Sequence, residues 1–184
     1  MIMTVAELRR YVESEKDDSV LEAKLQALEH LVRAYTHNNF QVRAFRSVAV
    51  ASADDSTFQV NGTVRFAAGD TLQITGSALM PDVLVTVESV DGNKVKVKGD
   101  LYDETGVTVT KVVYPQDVKM GAVNLMKWEL ERREKVGVSS ETISRHSVTY
   151  YDMSEDNSIM GFPKSLMGFL RPYMKARVGR GIRV

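Results

Sequence analysis

Residues 83–98 read VLVTVESVDGNKVKVK, and their pairing decides the architecture of the middle of the chain. Val95 and Val97 alternate with Lys94, Lys96 and Lys98, the period-two pattern of a strand with one buried and one solvated face. Asp91-Gly92-Asn93 supplies residues that accept positive φ, so the two flanking runs fold back on each other as a hairpin. The same short, β-branched alternation recurs in TFQV (57–60), TLQIT (71–75) and VTVTKVV (107–113). About five such strands within residues 48–114 predict a small barrel or sandwich.

On either side of that span the periodicity turns helical. Thr4-Val-Ala-Glu7 and Ser19-Val-Leu-Glu22 both fit the capping box, in which a hydroxyl and a glutamate satisfy exposed backbone donors at a helix start. They predict two N-terminal helices with SEKDD (14–18) as the turn between them. Leu21, Leu25, Leu28, Val32 and Tyr35 make one apolar stripe on the second, and His37-Asn38-Asn39 tolerates a left-handed exit. After Pro115, the run QDVKMGAVNLMKWELERREK places Val118, Ala122, Leu125 and Met126 on one face, with Trp128 at its edge. A polar segment, 137–161, follows, with SVTYY (147–151) as its best strand. Phe162-Pro163 opens a last helix with Leu166, Phe169, Leu170 and Tyr173 on its apolar face, kinked or ended by Pro172. The expected fold class is α+β. A small α-helical bundle domain, residues 1–47 plus 115–184, is interrupted by a β-rich barrel-like insertion, residues 48–114.

With 184 residues, 43% of them apolar and 26% charged, the chain is long enough to bury roughly 70% of its unfolded surface. It contains no cysteine, which excludes disulfides, thiol catalysis and cysteine-bound zinc or iron-sulfur clusters. The N-terminal MIMTVAELRR lacks the apolar core of a signal peptide, and no apolar run approaches the roughly 20 residues that cross a bilayer. A cytoplasmic protein, or one used in a particle assembled there, is the expectation. Acidic and basic residues balance at 24 each, yet Lys164, Arg171, Lys175, Arg177, Arg180 and Arg183 follow Pro163 with no acid among them. Residues 48–115 carry five basic side chains against nine acidic ones. A basic tail on a neutral body points to an acidic partner or to a solvated terminus.

Ser139, Ser140, Ser144, Ser147 and His146 raise the question of a hydrolase. A catalytic serine needs a base in reach, a group that orients that base and an oxyanion donor pair, and no G-x-S-x-G elbow is present. A hydroxyl-rich segment that caps backbone and makes contacts is the better reading. His30, His37 and His146 form no H-x-x-x-H pair, so neither a metal nor a cofactor is expected. No G-x-x-x-x-G-K-[ST] motif offers a phosphate cradle, and the glycines of GDTLQITGS (69–77) read as turns. DLYDETG (100–106) lacks the alternating spacing of a calcium loop and reads as an acidic turn. No catalytic residue is assigned. The arginines of the tail, with Tyr173 nearby, keep a nucleic-acid-binding module as the alternative function.

Two stretches, YPQDVKMGAVNLMKWELERREKVGVSSETISRHSVTYYDM (114–153) and MGFPKSLMGFLRPYMKAR (160–177), together resemble the head-tail connector proteins of long-tailed bacteriophages, also called adaptor or head-completion proteins. The resemblance lies in Pro115 to Lys119, Lys135 to Glu141, Ser147 to Tyr150, Pro163 to Leu166, and Tyr173 before the basic tail. The helix pair ending in Tyr35-Thr36 and Phe40 also fits. It covers about residues 4–47 and 115–178; the β-rich span resembles an insertion carried by some members. The resemblance implies a structural virion protein. Such proteins form a ring, typically twelvefold, beneath the portal protein, extend the channel through which genomic DNA passes without sequence-specific binding, and offer their other face to a stopper or tail-completion protein. It places the chain at the head-tail interface of a virion assembled in the host cytoplasm, with no membrane partner. Val138, Ser140, Glu141, Ile143, His146, Val148 and Tyr150 are the expected subunit-interface residues. Lys175, Arg177, Arg180 and Arg183 are the expected portal-binding tail.

Overall fold

A computed structural model of the protein describes residues 1–133, 140–143, 146–149 and 157–176. The chain divides into two compact units, one of Met1 with Asn39–Val113 and one of Ile2–Asn38 with Tyr114–Val184.

The first unit is a closed antiparallel barrel of six strands: β1 (Gln41–Ser52), β2 (Thr57–Val60), β3 (Thr71–Thr75), β4 (Leu84–Asp91), β5 (Lys94–Lys98) and β6 (Glu104–Val112). Its strand order is β1-β2-β5-β4-β3-β6, and β1 closes the ring by pairing with both β2 and β6. Closure leaves no edge strand in the barrel wall. β1 spans both neighbours because it is twelve residues long. It bends through register shifts between Gln41 and Arg46 and between Ala49 and Val50, the local kinks that let a sheet curl into a cylinder. The β4–β5 hairpin pairs Asp91 with Lys94 across the turn residues Gly92 and Asn93, and Gly92 takes a φ of 54°, a conformation that costs glycine little. Val95 and Val97 point into the core and Lys94, Lys96 and Lys98 out of it. Phe58, Leu72, Ile74, Val107 and Val109, all 0% exposed, fill the interior with the β4 and β5 valines.

The residues of the acidic turn lace the loops at one end of this barrel. Asp103 accepts from the Ala53 amide at 2.8 Å. Glu104 accepts from the Ala78 amide at 2.8 Å and from the Ser77 hydroxyl. These bonds, Ser77 first, hold the Glu104 carboxyl below its ordinary pKa.

The second unit holds α1 (Val5–Leu8), α2 (Asp18–Thr36), α3 (Gln116–Glu131), a hairpin of β7 (Ser140–Ile143) and β8 (His146–Thr149), a two-residue ladder of β9 (Ser158–Ile159) and β10 (Phe162–Pro163), and a 3-10 helix, Lys164–Tyr173. Leu21, Leu25, Leu28 and Val32 of α2 are buried, as are Val118, Ala122, Leu125 and Met126 of α3. His37 ends α2 in the left-handed conformation at φ 51°. Tyr114 donates to the buried Glu29 carboxylate at 2.8 Å. Burial first, and the Glu29 charge second, push the Tyr114 phenol well above its ordinary value.

The expected α-helical bundle interrupted by a barrel-like insertion is therefore corrected. The barrel is the largest regular body, and among the described residues the helices are few. The Thr4 and Glu7 capping box starts a helix that runs only four residues. The Ser19 box is not used, because α2 begins at Asp18 behind an Asp17 N-cap. The last helix is not an α-helix. Winding at about three residues per turn, it buries Met167 and Leu170 while Leu166 and Phe169 are half-buried. Two long α-helices remain among the described residues, too few for a bundle, and residues 41–47, expected in the helical frame, are the first half of β1.

Candidate functional site

Two of the stretches singled out in the sequence, Pro115–Lys119 and the one ending in Tyr173, meet inside the second unit. Pro115 stands as the N-cap of α3, since a residue without an amide proton costs nothing where the first donors have no intrahelical partner. Asp117 falls in the first turn, where a carboxylate is favoured, and accepts from the Val118 amide at 2.9 Å. Tyr173, the last residue of the 3-10 helix, donates its hydroxyl to the Asp117 carboxylate, with both oxygens at 2.7 Å. That bond raises the Tyr173 phenol above its ordinary pKa. The backbone amide of Lys175 then donates to Thr36 O at 2.8 Å, and Asn38 Nδ2 to Tyr173 O at 3.2 Å. The end of α2, the start of α3 and the end of the 3-10 helix are thus tied to one place.

The end of α3 carries a second cluster. Trp128 and Phe162 lie with ring centroids 5.3 Å apart and planes tilted by 56°. The Arg133 guanidinium sits 5.5 Å from the Trp128 centroid and 5.3 Å from that of Phe162, within cation–π range. Arg133 Nε is 3.1 Å from Glu129 Oε2, and Lys24 of α2 is 2.8 Å from Glu129 Oε1. Arg133 Nη1 also donates to Gly161 O at 2.5 Å. Beside this cluster α2 and α3 leave an open, largely apolar groove of about 510 Å³, lined among others by Val20, Ala27, Leu31, Met126 and Phe162.

Of the expected interface residues, Ser140, Glu141 and Ile143 lie on β7, and His146 and Val148 on β8, where the backbone alone is described. The register sets Glu141 opposite Val148 and Ile143 opposite His146. Val138 and Tyr150 lie outside the described residues. In the basic tail Lys175 is exposed, while Arg177, Arg180 and Arg183 lie outside the described residues. Among the described residues no group of three or more His, Cys, Asp or Glu side chains could hold a metal ion. No helix among them is long and apolar enough to cross a membrane. Sequence reasoning passed over Arg133 and Gly161, and it read Phe162 as the start of the last helix, whereas Phe162 lies on β10 and the 3-10 helix starts at Lys164. The Glu129–Arg133 spacing of four was a legible helical pair, but nothing local announced that Gly161 would come to it.

No family model matches the chain, and no curated protein matches it. Among solved structures it is similar to the tailspike protein gp49 from Pseudomonas phage LKA1, at 26% identity and a TM-score of 0.29 over 36% of this chain and 14% of that one. It is also similar to the Gp54 tailspike of Acinetobacter baumannii bacteriophage AP22, solved in complex with A. baumannii capsular saccharide, at 23% identity and a TM-score of 0.28 over 39% of this chain and 14% of that one. The chain thus spans about a seventh of either tailspike. Neither likeness bears on the fold as a whole or on activity.

Proposed function

We propose that the protein is a structural component of a bacteriophage virion, a head-tail connector that forms a ring beneath the portal and extends the DNA channel toward a stopper or tail-completion protein. The observation that carries this reading is the Tyr173–Asp117 hydrogen bond. It joins the Pro115–Lys119 motif to the Tyr that precedes the basic tail, two loose signals far apart in sequence that this fold brings together. The β7–β8 hairpin adds support, because among the described residues it is a two-stranded ladder, and the outer edges of such a ladder can pair with a neighbour. In this reading identical subunits meet through heterologous contacts that close into a ring, with the 138–151 segment between subunits and the tail from Lys175 onward on the portal. The test mixes the full chain with its cognate portal and images the product by negative stain, with native mass spectrometry for the copy number. A ring seated on the portal is the expected result. A chain that stays monomeric and ignores the portal overturns the reading.

A further inference from the structure

The loop that joins β2 to β3 opens with Asn61-Gly62, and Asn61 is the one asparagine in the sequence that glycine follows. The backbone amide of Asn61 donates to Val48 O at 2.9 Å, which carries the β1–β2 ladder one residue past Val60. Beyond it the ladder ends. Gly62 is exposed and turns the chain at a φ of 93°, and a Cβ built on it would meet nothing within 4 Å. Neither the Gly62 amide nor the exposed Asn61 carboxamide has a hydrogen-bond partner among the described residues. Asn38 is the contrast: it is buried, and its Nδ2 donates to Tyr173 O at 3.2 Å.

We propose that Asn61 is a site of spontaneous covalent modification, deamidating through a succinimide because the fold leaves both reacting groups free. Gly62 N loses its proton to solvent base and attacks Asn61 Cγ. The N–Cγ bond forms as the bond from Cγ to the carboxamide nitrogen breaks, and that nitrogen takes up a proton and leaves as ammonia. Water then opens the ring at one of its two carbonyls. Cleavage at N–Cγ leaves aspartate on an unchanged main chain. Cleavage at the Asn61 backbone carbonyl leaves isoaspartate, whose main chain runs through Cβ and Cγ. Nothing is oxidised or reduced, and water is the sole co-reactant. Glycine matters at position 62 because a side chain there would crowd the attacking nitrogen and resist the positive φ. Both products add a negative charge on the loop. Isoaspartate alone lengthens the backbone, at the point where Asn61 N reaches Val48 O, so it breaks that end of the ladder.

The experiment incubates the full chain at neutral and mildly alkaline pH, folded and in urea, and follows the tryptic peptide 47–65 by mass spectrometry. Fragment ions specific to the extra backbone methylene count isoaspartate. Conversion should quicken with hydroxide, and the folded and urea-unfolded rates should differ by less than about tenfold. A folded chain slower than that overturns the proposal, since the fold would then protect Asn61. Asn61 should also convert at least about tenfold faster than Asn38, whose carboxamide must first give up its bond; equal rates overturn the argument from free groups. The mass gain should vanish in Asn61→Ser, and a gain that persists there belongs to Gln59 and overturns the site. Amide exchange at residues 48–52 and 57–61 should quicken in the aged chain in proportion to its isoaspartate, and stay unchanged in Asn61→Asp, which carries the charge on a normal backbone. Equal exchange in the two overturns the structural consequence.

Discussion

At the scale of single residues, the contacts that matter most are made by small or polar side chains that carry no pattern of their own. Gly121 lies on the buried face of α3, and a Cβ there would run into the ring of Phe169. Gly121→Ala should therefore cost about 1–3 kcal/mol, the usual price of overpacking. Measured by urea unfolding, Gly121→Ala with Phe169→Ala should lose less than the sum of the two single changes. Tyr114 gives a pH signature. Its phenol is raised above 10.0 in the fold, so it favours the folded state below pH 10, where the unfolded chain is also neutral. Above that value the unfolded chain ionises first and the advantage is lost as pH rises. The fall in stability above pH 10 should be shallower in Tyr114→Phe. That variant should also lose about 1 kcal/mol at pH 7 as Glu29 gives up a buried donor. Neither Gly121 nor Tyr114 was legible in advance as special: a glycine inside a helix reads as a weak point, and a lone tyrosine before a proline as a boundary.

At the scale of elements, sequence period was a good guide where one face is wet. The β4–β5 hairpin follows from KVKVK behind Asp91-Gly92-Asn93, and the α2 stripe from leucines at helical spacing, because alternation and the 3.6-residue turn each fix which side chains share a face. The weight of the β5 and β2 faces is testable at Phe58, 0% exposed in the barrel core. Phe58→Ala should cost about 3–5 kcal/mol by thermal or urea unfolding. The capping box at Thr4 and Glu7 is formed as its residues predict, with Glu7 N 3.1 Å from Thr4 Oγ1 and Thr4 N 2.9 Å from Glu7 Oε2. Thr4→Ala should lose about 1 kcal/mol. A cap fixes where a helix starts and says nothing of its length, which is why α1 stops after four residues. The 3-10 helix shows the opposite failure. Apolar positions in KSLMGFLRPY are dense enough to satisfy either period, and the burial of Met167 and Leu170 was settled by packing against α2 and α3. The hairpin at 140–149 was half legible: HSVT is β-branched and alternating in part, whereas its partner SETI earns strand structure from pairing.

At the scale of the whole molecule, two units each carry their own core. Damage should stay local. Phe58→Ala is expected to speed amide exchange mainly within residues 41–112, and Gly121→Ala mainly within 116–131 and 164–173, because protection follows the cooperative unit that opens. By itself the sequence determined the local periods, the turn at Gly92, the capped start at Thr4, the lack of any thiol chemistry and the uneven charge, all of which depend on neighbours a few residues apart. Only the tertiary structure decided that β1 runs on from Gln41 and closes the sheet into a barrel, that the helices do not make a bundle, that Tyr173 finds Asp117 and that Arg133 finds Gly161. Those outcomes depend on which distant faces must be buried together. Many chain foldings share one local pattern, and packing selects among them by the apolar area and hydrogen bonds that each can satisfy at once.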